Sequence, residues 1–169
     1  RYSPRPQSLT QYRSIAEDPG GALWLGTASH GVHRFDPATE TFTTFEDRLR
    51  DPPSRGHNRV YAVHVDRSGT VWAGTFRGLA RFDPRDGTFT SYDSRSGLPT
   101  DTVLGILEDE HGHLWVSTLD GLARFDPRTQ TSTNYHVSDG LLTDLFTVPV
   151  VATKSPGGEM FFGSHSGLV

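Results

Sequence analysis

Apolar and polar positions along the chain fall into short runs separated by turn residues. Val60-Tyr-Ala-Val-His-Val65 and Val103-Leu-Gly-Ile-Leu107 are rich in β-branched and aliphatic residues, which predicts a strand at each. Val71-Trp-Ala-Gly-Thr75 and Leu114-Trp-Val-Ser-Thr118 are nearly continuous apolar runs. Such runs predict strands buried on both faces, as when a sheet is sandwiched between two others. Leu79-Ala-Arg-Phe82 and Leu122-Ala-Arg-Phe125 predict third strands, ended by Asp83-Pro84 and Asp126-Pro127 because proline offers no N–H to a ladder. Thr41-Phe-Thr-Thr-Phe45 and Thr88-Phe-Thr-Ser-Tyr92 alternate, which suits an outer, half-exposed edge.

The joints carry matching chemistry. Asp66-Arg-Ser-Gly69 and Asp109-Glu-His-Gly112 combine an aspartate that caps its own following backbone with a glycine for positive φ. Thr75-Phe-Arg-Gly78 and Thr118-Leu-Asp-Gly121 fit a type I turn closed by a glycine bulge. One turn position holds Gly87 in one copy and Glu40 or Gln130 in two others, which predicts modest backbone strain at those two residues.

The unit repeats. Gly21-Ala-Leu-Trp24, Gly69-Thr-Val-Trp72, Gly112-His-Leu-Trp115 and Gly158-Glu-Met-Phe161 place their aromatics 48, 43 and 46 residues apart. That period is the size of one four-stranded propeller blade. The predicted fold is all-β: a partial β-propeller of about four antiparallel four-stranded blades, near 10–45, 58–92, 101–135 and 143–169. No internal domain boundary is expected across 1–169. Tyr2 aligns with Phe45, Tyr92 and Tyr135, so the chain opens on the end of a fourth strand, and Gly167-Leu-Val169 stops inside a third. The chain therefore reads as a segment of a longer protein. Its terminal blades should show apolar faces and bare strand edges, with aggregation or marginal stability as the consequence.

Composition agrees and excludes other classes. The 18 glycines, 11 prolines and 11% aromatic content suit short strands and tight turns. A net charge of −4 gives no basic footprint for nucleic acid. With no cysteine, disulfides and thiolate metal sites are excluded. No run approaches the 18 or so apolar residues that a membrane span needs, so no membrane contact is expected from this segment.

The motif Leu-Trp, Gly-Thr, Gly-Leu and Phe-Asp-Pro, legible at Glu17 to Pro37, Asp66 to Pro84 and Glu108 to Pro127, resembles the two-component regulator propeller repeat. That resemblance implies seven-bladed propellers forming the periplasmic sensor half of histidine kinases and hybrid kinases. It implies a small-molecule ligand, often an oligosaccharide, and no catalysis by the propeller itself. Ser138-Asp-Gly-Leu-Leu, Gly158-Glu-Met-Phe-Phe-Gly163 and Ser166-Gly-Leu168 resemble the atypical final blade, which in the family precedes a small β-sandwich. The remaining blades and that sandwich are thus expected partners, and a homodimer is compatible with the family.

Positions that recur belong to the blade. Trp24, Trp72, Trp115 and Phe161 are expected between blades. Gly31, Gly78, Gly121 and Gly167 close the hairpins, and Asp36, Asp83 and Asp126 form turns. Arg34, Arg81 and Arg124 are expected to lie along the sheet with their heads paired to a local carboxylate or carbonyl. His111 and His113 read as solvated turn residues, and His64 as a hydrogen-bonded core or channel group. No His-x3-His pair, nucleophile elbow, phosphate loop or dinucleotide fingerprint is present, so no catalytic residue, metal or cofactor is assigned.

Positions that differ between copies are free to serve a ligand. His30, Phe76, Arg77, Asp120 and His165 flank the hairpin glycines. His57, Asn58, Arg59, Asp101 and Asp144 lead into the first strands. In a propeller both loop sets emerge on one face, and binding groups sit on loops held by a rigid scaffold. The alternatives are a propeller enzyme of the lyase or lactonase type, drawing on His57, Asp101 and Asp144, and a protein–protein scaffold.

Overall fold

A computed structural model of the chain describes residues 10–45, 58–146, 152–164 and 166–169. The first sheet is β1 (Tyr12–Glu17), β2 (Leu23–Thr27), β3 (Val32–Asp36) and β4 (Thr41–Phe45). The second is β5 (Val60–Val65), β6 (Val71–Thr75), β7 (Gly78–Asp83) and β8 (Thr88–Tyr92). The third is β9 (Val103–Glu108), β10 (Leu114–Thr118), β11 (Leu122–Asp126) and β12 (Thr131–Tyr135). The fourth has three strands, β13 (Ala152–Lys154), β14 (Met160–Ser164) and β15 (Gly167–Leu168), with Phe146 bridged to Ser164.

Every sheet is an antiparallel meander in sequence order. Their first strands lie side by side, β1 on β5, β5 on β9 and β9 on β13, so the four blades form a β-propeller arrangement. Tyr2 and the 46–57 loop fall outside the described residues.

The core is the seams between blades. Trp24, Val32 and Phe45 of the first blade meet Val60, Val63 and Ala73 of the second. Trp72, Leu79 and Tyr92 meet Val103, Ile106 and Val116 of the third. Leu122, with the half-buried Trp115 and Tyr135, meets Phe146 and Phe162 of the fourth. Of the two nearly continuous apolar strands, β6 is buried along its whole length and β10 at four of its five positions. The fourth strands stay largely exposed.

Each seam tryptophan is tied to the turn before it. Asp18, Asp66 and Asp109 accept the indole N–H of Trp24, Trp72 and Trp115 at 2.9, 2.8 and 3.1 Å. The turn aspartate therefore does more than cap its own backbone. It also satisfies the one polar group of a large apolar side chain, which a buried indole needs. Burial alone raises the Asp109 carboxyl. Hydrogen bonds from the His113 backbone, the Trp115 indole and the His111 backbone outweigh it and lower the group to about 2.

Two expectations about histidine need correction. His113 is not simply solvated, because its ring lies 3.0 Å from Asp109 and is half buried. His64 was expected to be hydrogen-bonded, yet its Nε2 is buried without a hydrogen bond, 3.7 Å from Glu108 in the next blade. Burial holds the imidazole below its ordinary value, against the pull of the Glu108 and Asp66 charges. The predicted backbone strain is present: Glu40 and Gln130 have φ of 56° and 58° where Gly87 has 69°.

Candidate functional site

The four hairpins share one local device. The hydroxyls of Thr27, Thr75, Thr118 and Ser164 donate to the carbonyls of Gly31, Gly78, Gly121 and Gly167 at 2.8–2.9 Å. The same oxygens accept the backbone N–H of His30, Arg77, Asp120 and Ser166 at 2.8, 2.9, 3.1 and 3.2 Å. The residue before each hairpin glycine is therefore pinned by its backbone while its side chain is free to vary. Gly78 and Gly121 have positive φ of 118° and 94°, and a Cβ at either would collide with the carbonyl of Tyr92 or Tyr135. Only glycine lets the hairpin close onto the following link.

Hairpins and lead-in segments meet as the repeat predicts. Gly31 N–H donates to the Asn58 carbonyl at 2.9 Å, Phe76 N–H to Arg59 at 3.3 Å, and Gly121 N–H to Asp144 at 2.6 Å. His30, Asn58, Arg59, Phe76, Arg77, Asp120 and Asp144 thus share one rim. His57 and His165 lie outside the described residues. The Arg77 side chain is exposed and makes no ion pair or hydrogen bond among the described residues, and Phe76 beside it is 44% exposed. Arg59 reaches the Tyr61 hydroxyl at 3.5 Å, and Arg13 stands over the same ring at 5.4 Å.

Two predicted rim residues have structural duties as well. Asp101 accepts the Ser94 N–H at 3.0 Å, and Asp144 accepts the Val137 N–H at 2.6 Å. Each holds the one-turn 3-10 helix of its link, Ser94–Ser96 or Val137–Asp139. The Ser94 hydrogen bonds lower the Asp101 carboxyl from its ordinary range. Asp93 is lowered too, first by the Arg95 guanidinium, whose Nε lies 2.9 Å from it.

A groove of about 800 Å3 opens at the other ends of the strands, lined by Asp18, Trp24, Arg34, Arg81, Arg85 and Tyr92 among others. Of the recurring arginines, Arg34 has the structural role that its repetition predicts: it pairs with Asp36 at 3.5 Å and Asp18 at 4.0 Å above the Trp24 ring. Arg81 lies along the sheet over Trp72, 5.9 Å from its centroid, but among the described residues its head has neither the carboxylate nor the carbonyl partner expected of it. No sequence signal marked this groove, because it arises between blades from residues that each look local.

The fold and its rim define a class, a β-propeller whose blades hold interchangeable residues on one rigid face. The model of the two component regulator propeller family matches residues 54–77 and 97–120, two stretches of the second and third repeats. The extracellular domain of a protein assigned to the hybrid two component systems of B. thetaiotaomicron is 26% identical with a TM-score of 0.81. The match covers 99% of this chain and 22% of that one. A second extracellular domain, from a protein of that organism assigned to the one component systems, is 21% identical with a TM-score of 0.75, covering 99% and 21%. Virginiamycin B lyase from Staphylococcus aureus, an inactive variant with quinupristin, shares the fold at 15% identity and a TM-score of 0.70, covering 97% and 56%. Among curated proteins there is no significant match.

Proposed function

We propose that this chain is part of the signal-input propeller of a two-component signalling protein, working in the periplasm without chemistry of its own. Its rim recognises a small molecule bearing hydroxyls or an anionic group, with oligosaccharides as the leading class. The observation that carries this reading is Arg77. It is an exposed guanidinium without a partner among the described residues, on a backbone-pinned hairpin, beside an exposed phenyl ring. A planar fork of donors suits carboxylate, sulfate or sugar hydroxyls, and an aromatic face beside it suits the apolar face of a sugar ring.

The test is titration of the intact sensor with neutral and acidic oligosaccharides, reading both binding heat and signal output. Arg77→Ala should weaken the response about tenfold or more, the scale of one charged hydrogen bond, with an unchanged unfolding midpoint. The reading is overturned if Arg77→Ala responds like the parent while Asp83→Ala or His111→Ala, at the opposite turns, abolishes the response in a folded protein.

A further inference from the structure

Two corners of the rim are built alike and charged differently. The second blade's corner joins the β6–β7 hairpin to the link 93–101, and the third blade's joins the β10–β11 hairpin to the link 136–144. In register, Arg77, Asp93, Arg95 and Asp101 of the former become Asp120, His136, Ser138 and Asp144 of the latter. The former carries its own cations, and Arg95 is clamped on Asp93. At the latter both arginines are gone. No lysine or arginine pairs with Asp120 or Asp144 among the described residues, and a histidine replaces the central carboxylate.

The ligand atoms of Asp120, His136 and Asp144 all lie within 4.8 Å of one another. His136 Nδ1 stands 3.7 Å from Asp144 Oδ1. Two carboxylates so close repel unless a positive charge lies between them, and the segments that carry them are anchored. The Asp120 backbone is pinned by Thr118, the Asp144 carboxylate by the Val137 N–H and the Asp144 carbonyl by Gly121 N–H. The Val137 N–H is the kind of outer hydrogen bond that orients a metal-binding carboxylate. With bonds of about 2.0–2.2 Å to imidazole and carboxylate, ligands on one tetrahedral ion stand roughly 3.3–3.6 Å apart, so His136 and Asp144 are already near that spacing and rotation of the exposed Asp120 side chain would complete it.

We propose that Asp120, His136 and Asp144 form a divalent-cation site at this corner, tying the β10–β11 hairpin to the lead-in of the fourth blade. One imidazole with two carboxylates suits Zn2+ or Mn2+ better than Ca2+, which prefers six or more oxygens. Three protein ligands leave positions open on the rim side. The site does not depend on the rim's role in sensing, since it follows from the corner's own charge and geometry.

Calorimetric titration of the metal-free chain with Zn2+ and separately with Mn2+ tests this. One ion per chain should bind. Asp120→Asn and His136→Gln should each weaken binding roughly tenfold or more, while Asp101→Asn at the sister corner leaves it unchanged. Asp120 is at an exposed hairpin tip, so its variant keeps the fold, which a thermal melt without metal confirms. The proposal is overturned by the absence of a one-to-one isotherm with either ion. It is equally overturned if both variants bind like the parent, because the ion then sits on other histidines.

Discussion

Ile15 and Ile106 occupy the same place in two copies of one blade. Each lies in the first strand, opposite Leu25 or Val116 of the second. Yet Ile15 is 62% exposed and Ile106 is 5% exposed. Their neighbours repeat the contrast, since Tyr12 is exposed where Val60 and Val103 are buried. Ile106 is covered by Trp72, Leu79 and Tyr92 of the blade before it, and no described blade stands in that place before the first. The blade sequence sets the strand, and the adjacent blade supplies the energy. That is how quasi-one-dimensional repeat proteins divide their stability. The fourth blade shows the other half of the same seam, with Leu168 59% exposed. Uncovered apolar faces of this kind favour association.

The contrast breaks most visibly at the seam aromatic. Trp72→Ala should cost about 3–5 kcal/mol in a urea titration, since Trp72 is 1% exposed and its loss also strands the Asp66 carboxylate. A cost below about 1 kcal/mol would mean that the seam is not the core.

The paired isoleucines sharpen it further. Ile106→Ala should cost about 2–4 kcal/mol, and Ile15→Ala about 0.5 kcal/mol or less, although the chemical change is identical. Equal costs would show that something covers the first blade in solution, and a concentration-dependent midpoint would identify it as a second copy.

An acid titration compares a turn with its substituted form. The Asp109 carboxyl is lowered when folded, so its stabilisation is present above the ordinary carboxylate range near 4 and is lost as pH falls towards about 2. Asp109→Asn should remove that part of the slope of stability between about pH 4 and 2, leaving the slope near pH 7 unaltered. An unchanged acid limb would show that the Trp115 and backbone hydrogen bonds do not hold this carboxylate.

The smallest effect separates the copies at the turn between the third and fourth strands. Gly87→Ala should destabilise by about 1 kcal/mol, while Glu40→Gly should be neutral or stabilising by a few tenths, because the residues share positive φ. Destabilisation by Glu40→Gly would show that the glutamate side chain contributes more than its backbone strain costs.

Much of the blade was legible because its determinants are local. The strands read over 60–65, 71–75 and 88–92 appear with those bounds. The left-handed positions at Glu40 and Gln130 followed from a glycine at the same offset in another copy. The rim was legible for the same reason, since a fixed scaffold puts the variable offsets of every copy on one face. What the tertiary structure decided is everything that needs two blades or two distant turns. Neither the burial of Ile106 nor the exposure of Ile15 is written in those residues. The groove beside Arg81, the unbonded Nε2 of His64 and the meeting of His136 with Asp120 and Asp144 have no local signature. Short-range sterics and hydrogen bonding set the dihedrals within one repeat, and those the sequence carries directly. Burial and charge clustering depend on which surfaces the stacking of repeats brings within a few ångströms, and only the assembled blades supply that.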